Sequence, residues 1–482
     1  MATATADYDG SGAHVDVAVV KRALGLGALV FIMFFTVSGG AYGLEDVVGS
    51  SGAGLALLLI LVTPLFWSLP AALMVAELAT AMPVEGGFYV WVKKAMGPFW
   101  GFQEGWWSWL CTWVDMAIYP VLFVDYSASI FPKLFADNSL YRWLLGMAVI
   151  WVFTYLNIRG AKVIGDSSIV FGIIVLAPFA IMTILGLFQW HHNPTQPFIL
   201  EGQSLGQSLN LGLFVVMWNY LGWDGLSTVA GEMKNPRRDY PKTLIITLPM
   251  ITACYFLPVL VGLAVVGTKN VEWTAGAWNT IASDIGGHWL GALMAFGALV
   301  SAAGLFSALL LSVTRVPFVM GEDAYLPKVL FKVHPKYGTP WVALVVSSAI
   351  YSIFILGPFQ SLVVVDVIVY AGALMLELVA LVVLRIKAPN MERPYKIPGG
   401  WPVIFLVVFF PVAIIVVAVW DQAMCAGVMS TIGLSALALA SGPILYPIAR
   451  HFRGKRVRSG ELTEEGLGED ISLVGPKGGD AE

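Results

Sequence analysis

Long apolar segments recur through nearly the whole chain, and they constrain the fold more than any other feature. Each has roughly the 20 residues that an α-helix needs to cross a bilayer. Only 12% of the residues are charged, against about 25% in soluble domains. We predict an all-α integral membrane protein whose twelve spanning helices occupy residues 24–48, 54–80, 98–130, 140–158, 165–188, 206–231, 242–267, 289–315, 340–357, 361–385, 401–419 and 422–449.

The Lys and Arg residues are distributed unevenly when the segments between spans are assigned to alternate sides. All but three of the 27 fall on the side that holds both termini, and the exceptions are Lys133, Arg142 and Lys269. Cytoplasmic loops carry an excess of basic residues. We therefore expect both termini in the cytoplasm and the protein in the plasma membrane, surrounded by lipid. Because the basic residues are scattered over short loops, we expect no nucleic acid partner.

The residues that usually mark cofactor sites or enzymes form no pattern here. Cys111, Cys254 and Cys425 lie far apart in apolar segments, and the six histidines lie in or beside loops. We expect no disulfide framework, no metal site and no cofactor. The sequence also lacks a His-Glu-x-x-His motif or a nucleophile–base set, so we do not expect an enzyme.

Two spans are interrupted in corresponding ways. FFTVSGGAYGLED (34–46) breaks the first span with paired glycines followed by Glu45, and MWNYLGWDGLSTVAGE (217–232) breaks the sixth with Gly222 and Asp224. Glycine is unfavourable inside a helix, and charge is costly in hydrocarbon. Since the segments lie five spans apart, they run in opposite directions, which is typical of a transporter binding site between inverted halves. Alternatively, the glycines only allow close helix packing.

Residues 20–450 resemble the amino acid–polyamine–organocation transporter superfamily. SGGAY (38–42) stands where that family has Gly-Ser-Gly-Ile-Phe, and AELATAMPVEGGFYVWV (76–92) is similar to its Ala-Glu-Leu…Pro…Gly-Gly…Tyr segment. GEMKNPRRDYPK (231–242) is similar to its Glu-x-x-Asn-Pro loop after the sixth span. The segments VSGGAYGLEDVVG, GPFWGFQEGWWSW and DMAIYPVLFVDY resemble the branch of polyamine-uptake and L-type amino acid transporter-like permeases.

This resemblance implies a LeuT-like fold, with a repeat of five plus five helices in inverted orientation, discontinuous helices 1 and 6, and two extra helices. It also implies a central site between spans 1, 3, 6, 8 and 10. The expected units are a cytoplasmic N-terminal segment (1–23), two repeats (24–188 and 206–385), helices 11 and 12 (401–449) and a disordered cytoplasmic tail (450–482).

The resemblance further implies how the breaks contact substrate. Backbone N–H groups of the first break bind a carboxylate, and carbonyl groups of both breaks accept from an amine. The matching segments here are Ser38–Ala41 and Asn219–Gly222. Two departures stand out. Residues 167–187 lack the lysine that proton-coupled members carry in the fifth span, and Gly39 replaces a frequent serine.

Several carboxylates lie within the spans without an obvious basic partner at the same depth. A proton, a cationic substrate or an inorganic cation must then balance their charge. We predict that Asp224 binds a substrate amine, with a helix-capping role as the alternative, and that Asp115 faces the same cavity. The predicted substrate-binding residues are Val37, Ser38, Gly39, Gly40, Ala41, Tyr42, Glu45, Asp115, Tyr119, Asn219, Tyr220, Gly222, Trp223 and Asp224.

Other acids are expected to form structural or gating ion pairs. Glu77 lies at the end of the second span, Glu232 closes the sixth beside a basic cluster, and Glu377 has Arg385 two turns away in the same span. Glu45 and Asp46 lie on the outer half of the first span, and at least one of them is expected to face an outer vestibule, where it would attract cations; the alternative is a solvated helix end.

The function predicted from these features is secondary transport of polyamines or cationic amino acids, with proton-coupled uptake. The alternative is a neutral amino acid permease or exchanger, in which Ser38–Ala41 binds a carboxylate and the acids carry only protons. An ion channel would instead predict rings of charge along a pore and no matched breaks.

Overall fold

The computed structural model describes residues 24–135, 138–355, 359–425 and 429–458. The expected N-terminal segment 1–23 and most of the expected tail, residues 459–482, lie outside these ranges. The described residues form helices and no β-strand. The helices are α1 (Leu26–Val37), α2 (Glu45–Ser51), α3 (Ala53–Phe66), α4 (Ser68–Ala81), α5 (Gly87–Met96), α6 (Pro98–Ile130), α7 (Pro132–Phe135), α8 (Ser139–Ile158), α9 (Ala161–Gly186), α10 (Leu205–Asn219), α11 (Pro236–Val266), α12 (Ala277–Gly286), α13 (His288–Val313), α14 (Arg315–Glu322), α15 (Trp341–Phe354), α16 (Phe359–Lys387), α17 (Gly400–Cys425) and α18 (Met429–Arg458).

Nine helical stretches in the described ranges are long and apolar enough to cross a membrane. Each overlaps one of the predicted spans, and the predicted span 98–130 has the bounds of α6. The predicted spans 24–48, 206–231 and 340–357 overlap the shorter helices α1, α10 and α15. The described part of the chain is therefore helical, and its apolar helices are those of a multi-pass membrane protein.

Local sequence explains where several helices begin. Gly97 has φ 92° and Pro98 follows as the first residue of α6, a position that proline favours. Ser204 and Gln207 form a reciprocal capping box at the start of α10. The fifth span begins at Ala161 and not at 165 as predicted, because the helix starts directly after Gly160, with φ 118°, and includes polar residues of its first turns.

The packing of the helices brings the two interrupted spans to the centre of the bundle. α1 packs against α9, α11 and α13, and α10 packs against α2, α3 and α16. α6 crosses the bundle in contact with both α13 and α16. As a result, the chain that follows Val37 and the chain that follows Asn219 lie between α6, α13 and α16.

Candidate functional site

The first span leaves the helix where its glycines stand. α1 ends at Val37, residues 38–44 are not helical, and α2 begins at Glu45. Gly40 has φ 86°, a left-handed conformation that side chains other than glycine rarely adopt. The Ala41 carbonyl freed by this break accepts a hydrogen bond from Trp278 Nε1 at 2.9 Å. The backbone of the break is thus satisfied inside the protein and not by lipid.

The sixth span breaks in a similar way. α10 ends at Asn219, Gly222 has φ 86°, and the chain continues as a short 3-10 turn, Gly225–Thr228. The Tyr255 hydroxyl lies 2.8 Å from the Asn219 carbonyl oxygen and 3.4 Å from that of Val37. One side chain of α11 therefore joins the ends of both broken helices.

The two breaks also meet backbone to backbone. A Cβ atom at position 222 would overlap the carbonyl oxygen of Thr36 in the last turn of α1. Only glycine allows this approach, and it also allows the positive φ. The sequence signal that predicted two breaks therefore marks a point of direct contact between them.

A cavity of about 90 Å³ lies beside this contact. That volume has room for roughly six to nine water-sized groups. Its described lining includes the carboxylates Asp115 of α6, Asp224 after α10 and Asp366 of α16, and no Lys, Arg or His. Asp224 and Asp366 are buried and Asp115 is half-buried, so the site concentrates negative charge where bulk water screens it less than at the surface.

Each of these carboxylates accepts a hydrogen bond from a neutral donor. Tyr119 donates to Asp115 Oδ1 at 2.8 Å, one turn along α6. The Cys111 thiol of α6 lies 2.7 Å from Asp366 Oδ1 of α16, so α6 and α16 are joined at the cavity wall.

Asp224 has a neutral donor from α16. Its Oδ1 accepts from the Tyr370 hydroxyl at 2.5 Å. Neutral donors stabilise the charged form of a carboxylate without cancelling its charge. The cavity therefore keeps a capacity for a cation.

The structure places the predicted site residues in two groups. Those that line the cavity are Val37, Gly39, Tyr42, Asp115, Tyr119, Asn219, Gly222 and Asp224, and those that lie outside its lining are Ser38, Gly40, Ala41, Glu45, Tyr220 and Trp223. The second group has structural contacts. Gly40 N–H donates to Ser38 Oγ at 3.1 Å, and the Tyr220 hydroxyl donates to the Ile60 carbonyl at 2.9 Å.

Of the two acids expected near an outer vestibule, Glu45 does not face one. Its side chain is fully buried, and its two carboxylate oxygens accept from the backbone N–H groups of Gly43 at 2.7 Å and Gly276 at 3.4 Å. It connects the start of α2 to the loop before α12 and does not face an open vestibule. A sequence pattern cannot show this, because Gly276 is far away along the chain.

Sequence reasoning missed several residues of the cavity. Asp366, Tyr370, Cys111 and Ser301 all line it. The available signal was weak, because polar residues are scattered along these spans and their spacing does not show which of them face the cavity. Asp366 is an acid within an apolar span, but nothing in the sequence indicates which face of α16 meets α6.

The glycine at position 39 has a structural explanation. Ser301 of α13 donates to the Gly39 carbonyl, and its Oγ occupies the space that a Cβ atom at position 39 would fill. A hydroxyl group is therefore present at this point of the first break, although α13 supplies it.

The structure corrects the expectation that the acids within the spans lack basic partners. Arg385 binds Glu77 and not Glu377, with Nε 2.6 Å from Glu77 Oε1, and Arg393 Nε lies 3.2 Å from the same oxygen. Arg385 lies beyond the reach of Glu377 because its side chain turns toward α4, which packs against α16.

Two further acids are paired. Arg315 Nη2 lies 2.7 Å from Glu232 Oε1, and both side chains are almost fully buried. Asp125 pairs with Arg142 across the α6–α8 contact. The ion-pair role predicted for Glu77 and Glu232 therefore agrees with their contacts, whereas the partner predicted for Glu377 is wrong.

Glu85 is a titratable group outside the membrane spans. It lies in the turn between α4 and α5, where its backbone pairs with Val229 after the second break. Burial raises the pKa of Glu85 to about 7; the charge of Arg315 opposes this rise, and the charges of Glu232 and Glu322 add to it.

This raised pKa predicts a pH-dependent stability. The folded protein binds the Glu85 proton more tightly than the unfolded chain, so the stabilisation is complete below the ordinary pKa of 4.5 and is lost as the pH rises to about 7. Glu85→Gln should remove this dependence. The wild-type melting temperature, relative to that of the variant, should fall over that interval in a thermal unfolding assay. A constant difference between the two proteins at every pH would contradict the prediction.

A bundle of apolar helices with a cavity between two broken spans is the architecture of a multi-pass membrane permease. Residues 24–434 match the amino acid permease family. The chain is 36% identical to a polyamine transporter of Arabidopsis thaliana, over 77% of this chain and 75% of that protein. It is 35% identical to a polyamine transporter of Oryza sativa subsp. japonica, over 90% and 80%.

A more distant relative transports a different kind of molecule. The serine/threonine exchanger SteT of Bacillus subtilis is 29% identical over 69% of this chain and 75% of that protein. The chain therefore belongs to the amino acid permease family within the amino acid–polyamine–organocation superfamily, and it is a transporter and not an enzyme.

Proposed function

We propose that the protein is a secondary transporter of polyamines or cationic amino acids across the plasma membrane, driven by protons. The observation that carries the proposal is the charge of the cavity: three carboxylates and no basic side chain in its described lining. A substrate with two ammonium groups would offset most of this charge without a basic residue. The plant relatives that are polyamine transporters support the same substrate class.

The carboxylates divide into two acidic subsites. Asp366 accepts from the Cys111 thiol, which lies one turn before Asp115 on α6. Asp224 accepts from Tyr370, one helical turn along α16 from Asp366. One turn of an α-helix rises about 5.4 Å. With bonds of about 1.5 Å, the two nitrogens of an extended four-carbon diamine lie about 6 Å apart. We propose that each subsite takes one ammonium group of such a unit.

The aromatic rings of the lining fit the alkyl part of this substrate. Tyr119 and Trp218 stack with their centroids 6.1 Å apart beside Asp115. Aromatic faces attract alkyl-ammonium groups and also cover apolar chain.

The proposed architecture follows the superfamily: twelve spans, an inverted repeat formed by residues 24–188 and 206–385, two extra helices, and both termini in the cytoplasm. Transport would alternate by moving the broken spans against the others. The ion pairs Arg315–Glu232 and Lys93–Asp323, the latter at 2.6 Å, join helices at one end of the bundle and would separate when that end opens.

The second candidate is a neutral amino acid permease or exchanger, which the similarity to the serine/threonine exchanger favours. It requires the N–H groups of residues 38–41 to bind a carboxylate. In the structure, Gly40 N–H is bonded to Ser38, and of these four residues only Gly39 lines the cavity. This geometry favours the cationic substrate.

A diamine length series separates the candidates. Thermal stabilisation of the purified protein by putrescine, with a four-carbon chain, should show affinity at least about tenfold higher than that by ethylenediamine, because the shorter chain loses one ion pair. Leucine and alanine, tested in the same assay, represent the substrates of a neutral amino acid permease. Stabilisation by leucine or alanine, with none by putrescine or spermidine, would overturn the proposal in favour of the neutral permease.

A further inference from the structure

Two glutamates lie beside Asp224 but outside the cavity lining. Glu104 of α6 and Glu377 of α16 are both fully buried, and in each the Oε2 atom has no hydrogen-bond partner among the described residues. A buried carboxylate oxygen without a partner is costly. Such an atom indicates a ligand or a proton that balances it.

Both glutamates are connected to the cavity through residues that line it. The carboxyl group of Glu377 lies close enough to that of Asp224 for the two to interact. Two neighbouring carboxyl groups share a hydrogen bond only when one of them carries a proton, since a carboxylate only accepts. Glu104 Oε1 accepts from the Ser108 hydroxyl at 3.0 Å, and Ser108 lines the cavity.

The groups that face this pair are neutral or acidic. Tyr240 of α11 and Tyr370 of α16 lie close to both Asp224 and Glu377. Glu377 also lies close to Glu104.

The nearby basic side chains are engaged elsewhere. On α4, Glu77 is already bound by Arg385 and Arg393. No basic residue therefore balances the two buried glutamates in the described structure.

Whatever balances the charge of Glu104 and Glu377 must be small. The cavity does not extend to either glutamate, so an ammonium group of the substrate has no space beside them. The described residues also contain no cluster of three or more His, Cys, Asp or Glu side chains that could hold a metal ion. A proton needs no additional volume.

We propose that Glu377 and Glu104 hold the coupling proton of the transport cycle, a role that rests on the proposed function of the cavity. When an ammonium group approaches Asp224, the proton in the shared hydrogen bond moves to Glu377: the O–H bond at Asp224 breaks, one forms at Glu377, and Asp224 becomes the anionic partner of the substrate. The protein then holds the proton and the substrate at the same time, each on a different residue. This arrangement supports cotransport without a lysine in α9 near the first break.

Glu377→Gln and Glu104→Gln test this site, because each amide keeps the shape of a protonated carboxyl group but cannot release a proton. Spermidine should still stabilise both variants, with affinity within about threefold of the wild type. In proteoliposomes, their spermidine exchange should persist. Accumulation driven by an inward proton gradient should fall to the level seen without a gradient. Asp166→Asn, which changes an exposed carboxylate of α9, is the matched control and should keep gradient-driven accumulation.

The outcomes distinguish this proposal from the proposed function. If spermidine binds the wild type but its uptake does not respond to the gradient, or if both glutamine variants keep the wild-type response, the proton site is overturned while the substrate stands. If spermidine and putrescine fail to bind the wild type at all, the proposed substrate fails first, and the role of these glutamates in polyamine transport fails with it.

Discussion

Asp224→Asn is expected to abolish polyamine binding and uptake. Asparagine has the same shape and can still accept from the Tyr370 hydroxyl and donate to Glu377, so the packing around the second break should remain intact. The lost feature is the negative charge in a buried site. Removing one partner of a buried charge pair costs about 2–5 kcal/mol, which corresponds to a loss of affinity of roughly 30-fold to several thousandfold.

The measurement is spermidine-dependent thermal stabilisation, with uptake into proteoliposomes as the second readout. Asp284→Asn changes an exposed carboxylate on α12 and should bind spermidine like the wild type. Unchanged spermidine affinity in Asp224→Asn would show that the substrate ammonium lies elsewhere. The neutral amino acid permease would then be the better description of the cavity.

Gly222→Ala is expected to destroy the contact between the two broken spans. The added Cβ would meet the Thr36 carbonyl oxygen, which is backbone and cannot rotate away, and residue 222 has φ 86°. The left-handed conformation alone costs about 1–2 kcal/mol for a residue with a Cβ atom. With the overlap added, we expect a loss of about 3 kcal/mol or more, a lower melting temperature and no uptake.

Gly225→Ala is the matched control for this variant. It adds the same methyl group three residues later, where the nearest contact would be Ser312 Oγ at an ordinary 3.5 Å and φ is not positive. It should unfold close to the wild-type temperature. Equal melting temperatures and uptake for the two alanine variants would mean that the close approach at position 222 is not required.

The positions of the two breaks were predictable because they depend on local sequence. Glycine pairs inside an apolar span lower the preference for helix wherever the segment lies in the fold. Gly40 and Gly222 both adopt a positive φ, and α1 and α10 end within a few residues of them. The role of Gly39 could not be read in this way, because the hydroxyl that fills its space belongs to Ser301 on another helix.

The roles of the acids were predictable only in part. Asp115, Asp224, Glu77 and Glu377 all stand out in the sequence as charges within spans, and that pattern does not separate a cavity residue from one in an ion pair. The nearest arginine along the chain suggested a partner for Glu377, but that arginine binds Glu77. Distance along one helix is a poor guide when side chains of neighbouring helices compete for the same partner.

By itself, the sequence determined that this chain is a helical membrane transporter and where its two central helices are interrupted, because hydropathy and backbone preference act over a few residues. The tertiary structure decided which carboxylates remain without a cation. A buried charge is balanced by whatever side chain packing brings within reach, and Arg385 comes to Glu77 from more than 300 residues away, while no described basic side chain reaches the cavity around Asp224.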